Sequence, residues 1–180
     1  MTLSDMKTKI FALIEEASET QGQYTDDPDF ALKINDIINQ IQMELVRIKK
    51  LPSYTSEEVD ADDEYVLDEE IEDFYQLNKI TGVDYNREEN VVFWKESGTA
   101  KIFYYKYPTE ITSETQDSTE LELPIDILNV IPYGVAADIL KSDVSNNYGQ
   151  IYAQRYQELK QGLDPRYAIA SIRIDGGISI

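Results

Sequence analysis

Val91-Val92-Phe93-Trp94-Lys95-Glu96-Ser97-Gly98, running on through Thr99-Ala100-Lys101-Ile102-Phe103-Tyr104-Tyr105-Lys106-Tyr107-Pro108, is the stretch on which the fold turns. Two β-rich runs separated by Ser97-Gly98 predict a β-hairpin, and Pro108 ends its second strand. Large side chains occupy both sets of alternate positions. Val92, Trp94, Ile102 and Tyr104 form one set; Phe93, Phe103, Tyr105 and Tyr107 form the other. A sheet with one wet face alternates more cleanly. Two readings stand open: a hairpin sandwiched within its own chain, or one whose second face meets a neighbouring subunit, a role that suits tyrosine and tryptophan.

Upstream the period is helical. Met6, Ile10, Leu13, Ile14 and Ala17 predict a first helix over 4–18, opened by Ser4 and Asp5 and ended by Gln21-Gly22-Gln23. Asp27 as cap, Pro28 at the first position and Asp29 behind it open a second helix over 28–50. Phe30, Ile34, Ile37, Ile38, Ile41, Leu45 and Ile48 form its apolar stripe, and Leu51-Pro52 stops it. A β insertion is predicted over 53–108. Its entry, residues 57–73, holds eleven acids and no base, a composition that reads as a solvated loop. A calcium loop starting at Asp60 fails, because Tyr65 stands where glycine is needed and Ile71 where a bidentate carboxylate is needed. Phe74 to Ile80 and Val83 to Tyr85 read as short strands around Thr81-Gly82.

Downstream, Thr109 to Glu122 reads as a polar, flexible connector. Leu123-Pro124 opens a helical region over 124–144, where Pro132 predicts either a kink or a short helix followed by a longer one. Gly134, Ala136 and Ala137 are small enough for another backbone to approach closely. A last helix over 147–162 carries Tyr148, Ile151, Tyr152, Tyr156 and Leu159, with Gly162 as its stop. At the C-terminus Ala170, Ile172 and Ile174 alternate with polar residues, and Ile178 and Ile180 resume the alternation after Gly176-Gly177. This is strand chemistry, suited to pairing with the chain's own sheet or with an edge strand of a partner. The expected fold is α+β but mainly α: one domain over 1–167, a helical bundle with a small inserted β-hairpin, then a strand-like tail over 168–180.

Composition removes several function classes. The 180 residues contain no cysteine and no histidine, which excludes disulfides, thiolate metal sites and every Ser-His-Asp or Cys-His arrangement. Thirty-five acids against sixteen bases give a net charge of −19, which opposes neutralisation of phosphate backbones and docking on anionic lipid. The N-terminus lacks the order of a signal peptide and no apolar run approaches bilayer length, so a soluble protein starting in a cytoplasm is expected. Carboxylates are plentiful, yet no pair is placed on rigid elements facing a pocket, so no enzyme, metal site or cofactor is expected.

Taken in order, two N-terminal helices, a β insertion containing Asp73-Phe74-Tyr75-Gln76-Leu77-Asn78-Lys79-Ile80, a strand closing on Tyr104-Tyr105-Lys106-Tyr107-Pro108, then Leu123-Pro124, a small-residue helix and a tyrosine-bearing helix resemble the head-to-tail adaptor (connector) proteins of tailed bacteriophages. The resemblance covers roughly residues 28–163. It implies a structural protein of the virion neck, made in the bacterial host cytoplasm and assembled as a dodecameric ring under the portal. Adaptors of that family engage the portal protein through the C-terminal segment and offer the other end of the ring to a stopper or tail component. DNA passes through without specific binding. The matching tail is Ala168 to Ile180, with Ile172, Ile174, Ile178 and Ile180 as portal-binding positions. Trp94, Phe103, Tyr105, Tyr107, Tyr133 and Gly134 are the expected subunit-interface residues. The rival reading is an acidic DNA mimic that occupies a DNA-binding partner, resting mainly on residues 57–73.

Overall fold

The structure, a computed structural model, describes residues 1–17, 28–141 and 147–163. Ser18, the Gln21-Gly22-Gln23 stop, the Asp27 cap, residues 142–146 and the whole tail with Ile172, Ile174, Ile178 and Ile180 lie outside the described residues. Two bodies alternate along the chain. Helices α1 (Leu3–Ala17), α2 (Pro28–Leu45), α4 (Ile125–Leu128), α5 (Ile131–Leu140) and α6 (Tyr148–Leu163) form an α body. Strands β1 (Leu51–Val59), β2 (Glu64–Val66), β3 (Phe74–Thr81), β4 (Tyr85–Glu88), β5 (Val91–Trp94) and β6 (Gly98–Lys106), with the single turn α3 (Leu67–Glu70), form a β body inserted between α2 and α4.

Local chemistry explains the helices. Thr2 caps α1 in a reciprocal box: its hydroxyl accepts the Asp5 amide at 3.1 Å, and the Asp5 carboxylate accepts the Thr2 amide at 3.0 Å. The cap is therefore Thr2 rather than Ser4. Leu3, Met6, Ile10 and Ile14 bury one face of α1; Ile34, Ile37, Ile38, Ile41 and Leu45 bury one face of α2. Each such side chain contributes about 1.5–3 kcal/mol by leaving water. The second helix stops at Leu45, short of the expected Lys50, and a turn over 46–49 leads into β1.

Pro132 divides the next region as expected, into the short α4 and the longer α5. Buried nearly all round through Ile131, Pro132, Gly134, Val135, Ala136 and Leu140, α5 is the hub of the α body and packs against α1, α2 and α6. The connector before it is pinned rather than loose. Leu3 and Ser4 amides donate to the Thr119 and Asp117 carbonyls at 2.9 Å, and Leu121 donates to Met1 at 3.0 Å. The Asn39 side chain holds Ile111 from both sides, accepting its amide at 2.9 Å and donating to its carbonyl at 2.8 Å.

The β body overturns the expectation of a mainly helical protein. It holds two three-stranded antiparallel sheets, ordered β1-β6-β3 and β2-β5-β4, so sheet is a substantial share of the described fold. The predicted hairpin is also corrected, because β5 and β6 lie in different sheets and Lys95 to Ser97 crosses between them. In both strands the even-numbered residues point inward: Val92, Trp94, Ala100, Ile102 and Tyr104 share one core with Val59, Leu67, Ile71, Phe74, Leu77, Ile80 and Val83. The acidic entry is corrected as well. Instead of a loop it forms β1, β2 and α3, since Val59, Leu67 and Ile71 drop into the core between exposed acids.

Gly82, at φ +106°, makes the sharp corner after β3, where a Cβ would stand 2.3 Å from the Thr99 carbonyl oxygen. Gly149 has a comparable role in the α body: a Cβ there would meet the Leu140 carbonyl oxygen at 2.7 Å, so α6 can approach the end of α5 only through glycine. Gly149→Ala is expected to lower unfolding free energy by about 1–3 kcal/mol through overpacking. Gly162→Ala, with open space around its site, is expected to be neutral or to stabilise by up to ~1 kcal/mol through helix propensity. Urea melts followed by far-UV circular dichroism read both.

Candidate assembly surfaces

The positions expected at a subunit interface divide into four places. Trp94 and Gly134 are interior. Trp94 is 2% exposed and stands edge-on to Tyr65 and Tyr85, with ring centres at 6.0 and 6.3 Å. Burial, and then the charges of Glu57 and Glu70, push the Tyr65 hydroxyl up to about 12. Gly134 lets α5 meet α2 and α6; a Cβ would stand 2.8 Å from Ile41 Cδ1 and 3.0 Å from the Tyr156 ring. That ring is fixed in turn. Its hydroxyl donates to Glu44 at 2.7 Å, and Lys160 pairs with the other Glu44 oxygen. Although burial raises the Glu44 carboxyl, hydrogen bonds from Lys160 and Tyr156 hold it below the ordinary value.

Tyr133 lies elsewhere, on a groove of about 430 Å³ in the α body. Leu13, Pro132, Tyr133 and Leu159 supply its apolar lining, with Lys9 and Arg155 also on its walls. Tyr133 stands edge-on to Tyr152 at 6.3 Å, and the Tyr152 hydroxyl donates to the Leu13 carbonyl at 3.0 Å.

Phe103 and Tyr105 occupy the third place, the outer face of the β1-β6-β3 sheet. Register sets its rows. Pro52, Tyr105 and Gln76 lie side by side, then Tyr54, Phe103 and Lys79, then Ser56, Lys101 and Thr81, with Glu58 opposite Thr99 at the far end. The Tyr54 and Phe103 rings are 5.9 Å apart, and Tyr54 is 66% exposed. Lys79 Nζ sits 4.8 Å above the Phe103 ring, and Lys50 Nζ 4.8 Å above the Tyr105 ring while donating to Gln76 at 2.6 Å. Lys50, Lys79, Lys101 and Tyr54 were not among the expected interface positions. Their signal was the odd-even alternation of β6 set against that of β1, which becomes legible only once the two strands are known to pair.

Tyr107, the last of the set, marks the junction of the bodies. Its ring meets Tyr75 at 5.0 Å and packs on the α core. Lys106 beside it bonds Glu122 at 2.7 Å and lies 3.6 Å from Asp73; Glu122 also accepts the Thr109 amide at 2.9 Å. Burial alone would push Glu122 up and Lys106 down. Their bond and mutual attraction, with the Thr109 bonds to Glu122 and the Asp73 charge beside Lys106, together outweigh it, holding the carboxyl below and the ammonium above their usual values.

Among the described residues no group of three or more acidic side chains is placed to hold a metal ion, and no helix is long and apolar enough to cross a membrane. No protein-family model matches the chain, and no curated protein sequence matches it.

A depressed carboxylate stabilises the fold above its unfolded value and loses that contribution as pH falls through the folded one. For Glu122 the contribution is complete above the ordinary 4.5 and disappears below it. Glu122→Gln is therefore expected to be less stable than the native chain near neutrality and to lose less stability on acidification through that window. Thermal melts across a pH series check it.

Proposed function

We infer that the chain is a structural subunit of a bacteriophage neck: an adaptor that forms a ring between portal and tail, docks on the portal through residues 168–180, and lets DNA pass without holding it. The observation that carries this reading is the order of elements in the chain, two helices, a β insertion, then Leu123-Pro124 and a tyrosine-bearing helix, which resembles that family. Physical features support it. The surface offers two aromatic or apolar contact sites on separate bodies, the outer sheet face and the Tyr133 groove, as a subunit with unlike neighbours requires. Both hydrophobic cores draw on the described residues, and the alternating isoleucines of the tail are the docking segment in this reading. Ring symmetry multiplies a weak strand contact, about 1 kcal/mol per main-chain hydrogen bond, into firm attachment. A charge of −19 per copy repels DNA rather than retaining it.

Deleting 168–180 is expected to abolish capture by portal protein while leaving the melting temperature within a few degrees of the native value. Undiminished portal capture by the truncated chain would sink the tail assignment.

One observation favours the acidic-mimic alternative: the acids of 57–72 are carried on ordered backbone, as a charge mimic needs. Recovery of a nuclease or repressor, and no portal, from infected lysate would select that reading.

A further inference from the structure

Three lysines gather on one sheet face of a chain with more than twice as many acids as bases. Lys7, Lys49, Lys95, Lys106, Lys141, Arg155 and Lys160 all find carboxylates. Lys50, Lys79 and Lys101 form no ion pair among the described residues, although they stand on a face that ends at Glu58. Two of them are instead spread over the Phe103 and Tyr105 rings. A lysine held over an aromatic ring keeps its charge, gives up part of its freedom and presents its ammonium outward.

The matching surface is on the same body. Beyond the end of β1, the Asp60-Ala61-Asp62-Asp63-Glu64 turn exposes Asp60, Asp62, Asp63 and Glu64. Backbone bonds fix this tip: the Asp62 amide donates to the Trp94 carbonyl at 2.9 Å, and the Trp94 amide donates to the Asp63 carbonyl at 3.1 Å. Face and tip do not pair with each other among the described residues, and a second copy offers each of them the opposite charge. We propose that the Lys50-Lys79-Lys101 face of one copy receives the acidic Asp60–Glu64 tip of the next, a heterologous head-to-tail contact of the kind that generates rings. This rests on the ring reading above and names its subunit contact.

The chemistry favours a carboxylate-bearing protein over a nucleic-acid strand. Stacking of bases needs open ring faces, and here Phe103 and Tyr105 each have a lysine over one face, leaving Tyr54 as the open ring. The net charge of −19 opposes a phosphate chain along its whole length; it opposes a second copy as well, so the contact comes from the local match of the lysine face with the acidic turn. The contact is electrostatic at its rim, so salt weakens it.

The test is a charge exchange between two variants of the full chain. A face variant carries Lys50→Glu, Lys79→Glu and Lys101→Glu; a tip variant carries Asp60→Lys, Asp63→Lys and Glu64→Lys. All six side chains are exposed, and melting curves confirm folding. In sedimentation velocity and native mass spectrometry at about 100 μM, the native chain is expected to self-associate, with at least roughly tenfold weakening from low to high salt. Each variant alone is expected to be monomeric. An equimolar mixture is expected to regain association with the two variants alternating, because each face then meets a tip of opposite sign. If a triple variant does not fold, Lys101→Glu mixed with Asp63→Lys is read by the same rule. A native chain that stays monomeric, a variant that associates alone, or a mixture that stays monomeric overturns the contact. So does a labelled oligo-dT that binds the native chain and not the face variant, which would assign the face to single strands. Loss of portal capture alongside a successful exchange would sink the adaptor reading and leave the contact standing; the reverse pattern would sink the contact alone.

Discussion

The antiparallel pairing of β1 with β6 is the constraint on which the rest of the molecule depends. It runs without interruption from Leu51 opposite Lys106 to Val59 opposite Gly98, and so brings the two ends of the β insertion together on a single rung. Because entry and exit are adjacent, α2 and α4 can belong to one helical core despite the long excursion between them. The two cores share no buried residue. Lys106, Glu122 and Asp73 then fasten the rung to the connector, with the Tyr104 hydroxyl donating to Asp73 at 2.9 Å.

Much of the α body was legible because its signals are local. Stripes on α1 and α2, Pro28, and the break at Pro132 each depend on residues within one or two turns. The β body was read poorly because strand pairing is not local. Val91 to Tyr107 has the look of a hairpin, yet β5 and β6 belong to different sheets, and nothing within seventeen residues shows that β1 and β3 will flank β6. Register was further obscured by the irregularities in β3 between Phe74 and Gln76 and between Leu77 and Lys79, each shifting its alternation. The acidic run misled for a different reason. Composition reported its charge, while its structure came from three apolar residues, Val59, Leu67 and Ile71, spaced through it. Among the small residues, Gly134 drew notice through its neighbours Ala136 and Ala137, but Gly149, isolated beside Tyr148, lies closer to facing backbone.

Charge in this protein is organised by location more than by amount. Around the junction and between helices, cations neutralise carboxylates one by one: Lys49 with Asp126, Lys7 with Asp117, Lys160 with Glu44. Such pairs orient elements and individually add little stability where water reaches them. Aromatic rings hold two of the remaining sheet-face lysines, Lys50 and Lys79, and the acids of the Asp60–Glu64 turn are left in water. One small body thus carries a basic face beside an acidic turn, a polarity that the net charge conceals.

The hub helix has a consequence for how the chain is made. Residues of α1 and α2 reach the ribosome exit long before α5, and without α5 they have no partner able to cover their isoleucine stripes. At synthesis rates of about 5–20 residues per second, the interval lasts several seconds or more. In that time the whole β body emerges and can close its own core, since every strand it needs lies between Leu51 and Lys106. Its exposed acids then stand in water while the first helices await the cover that α5 brings to their core.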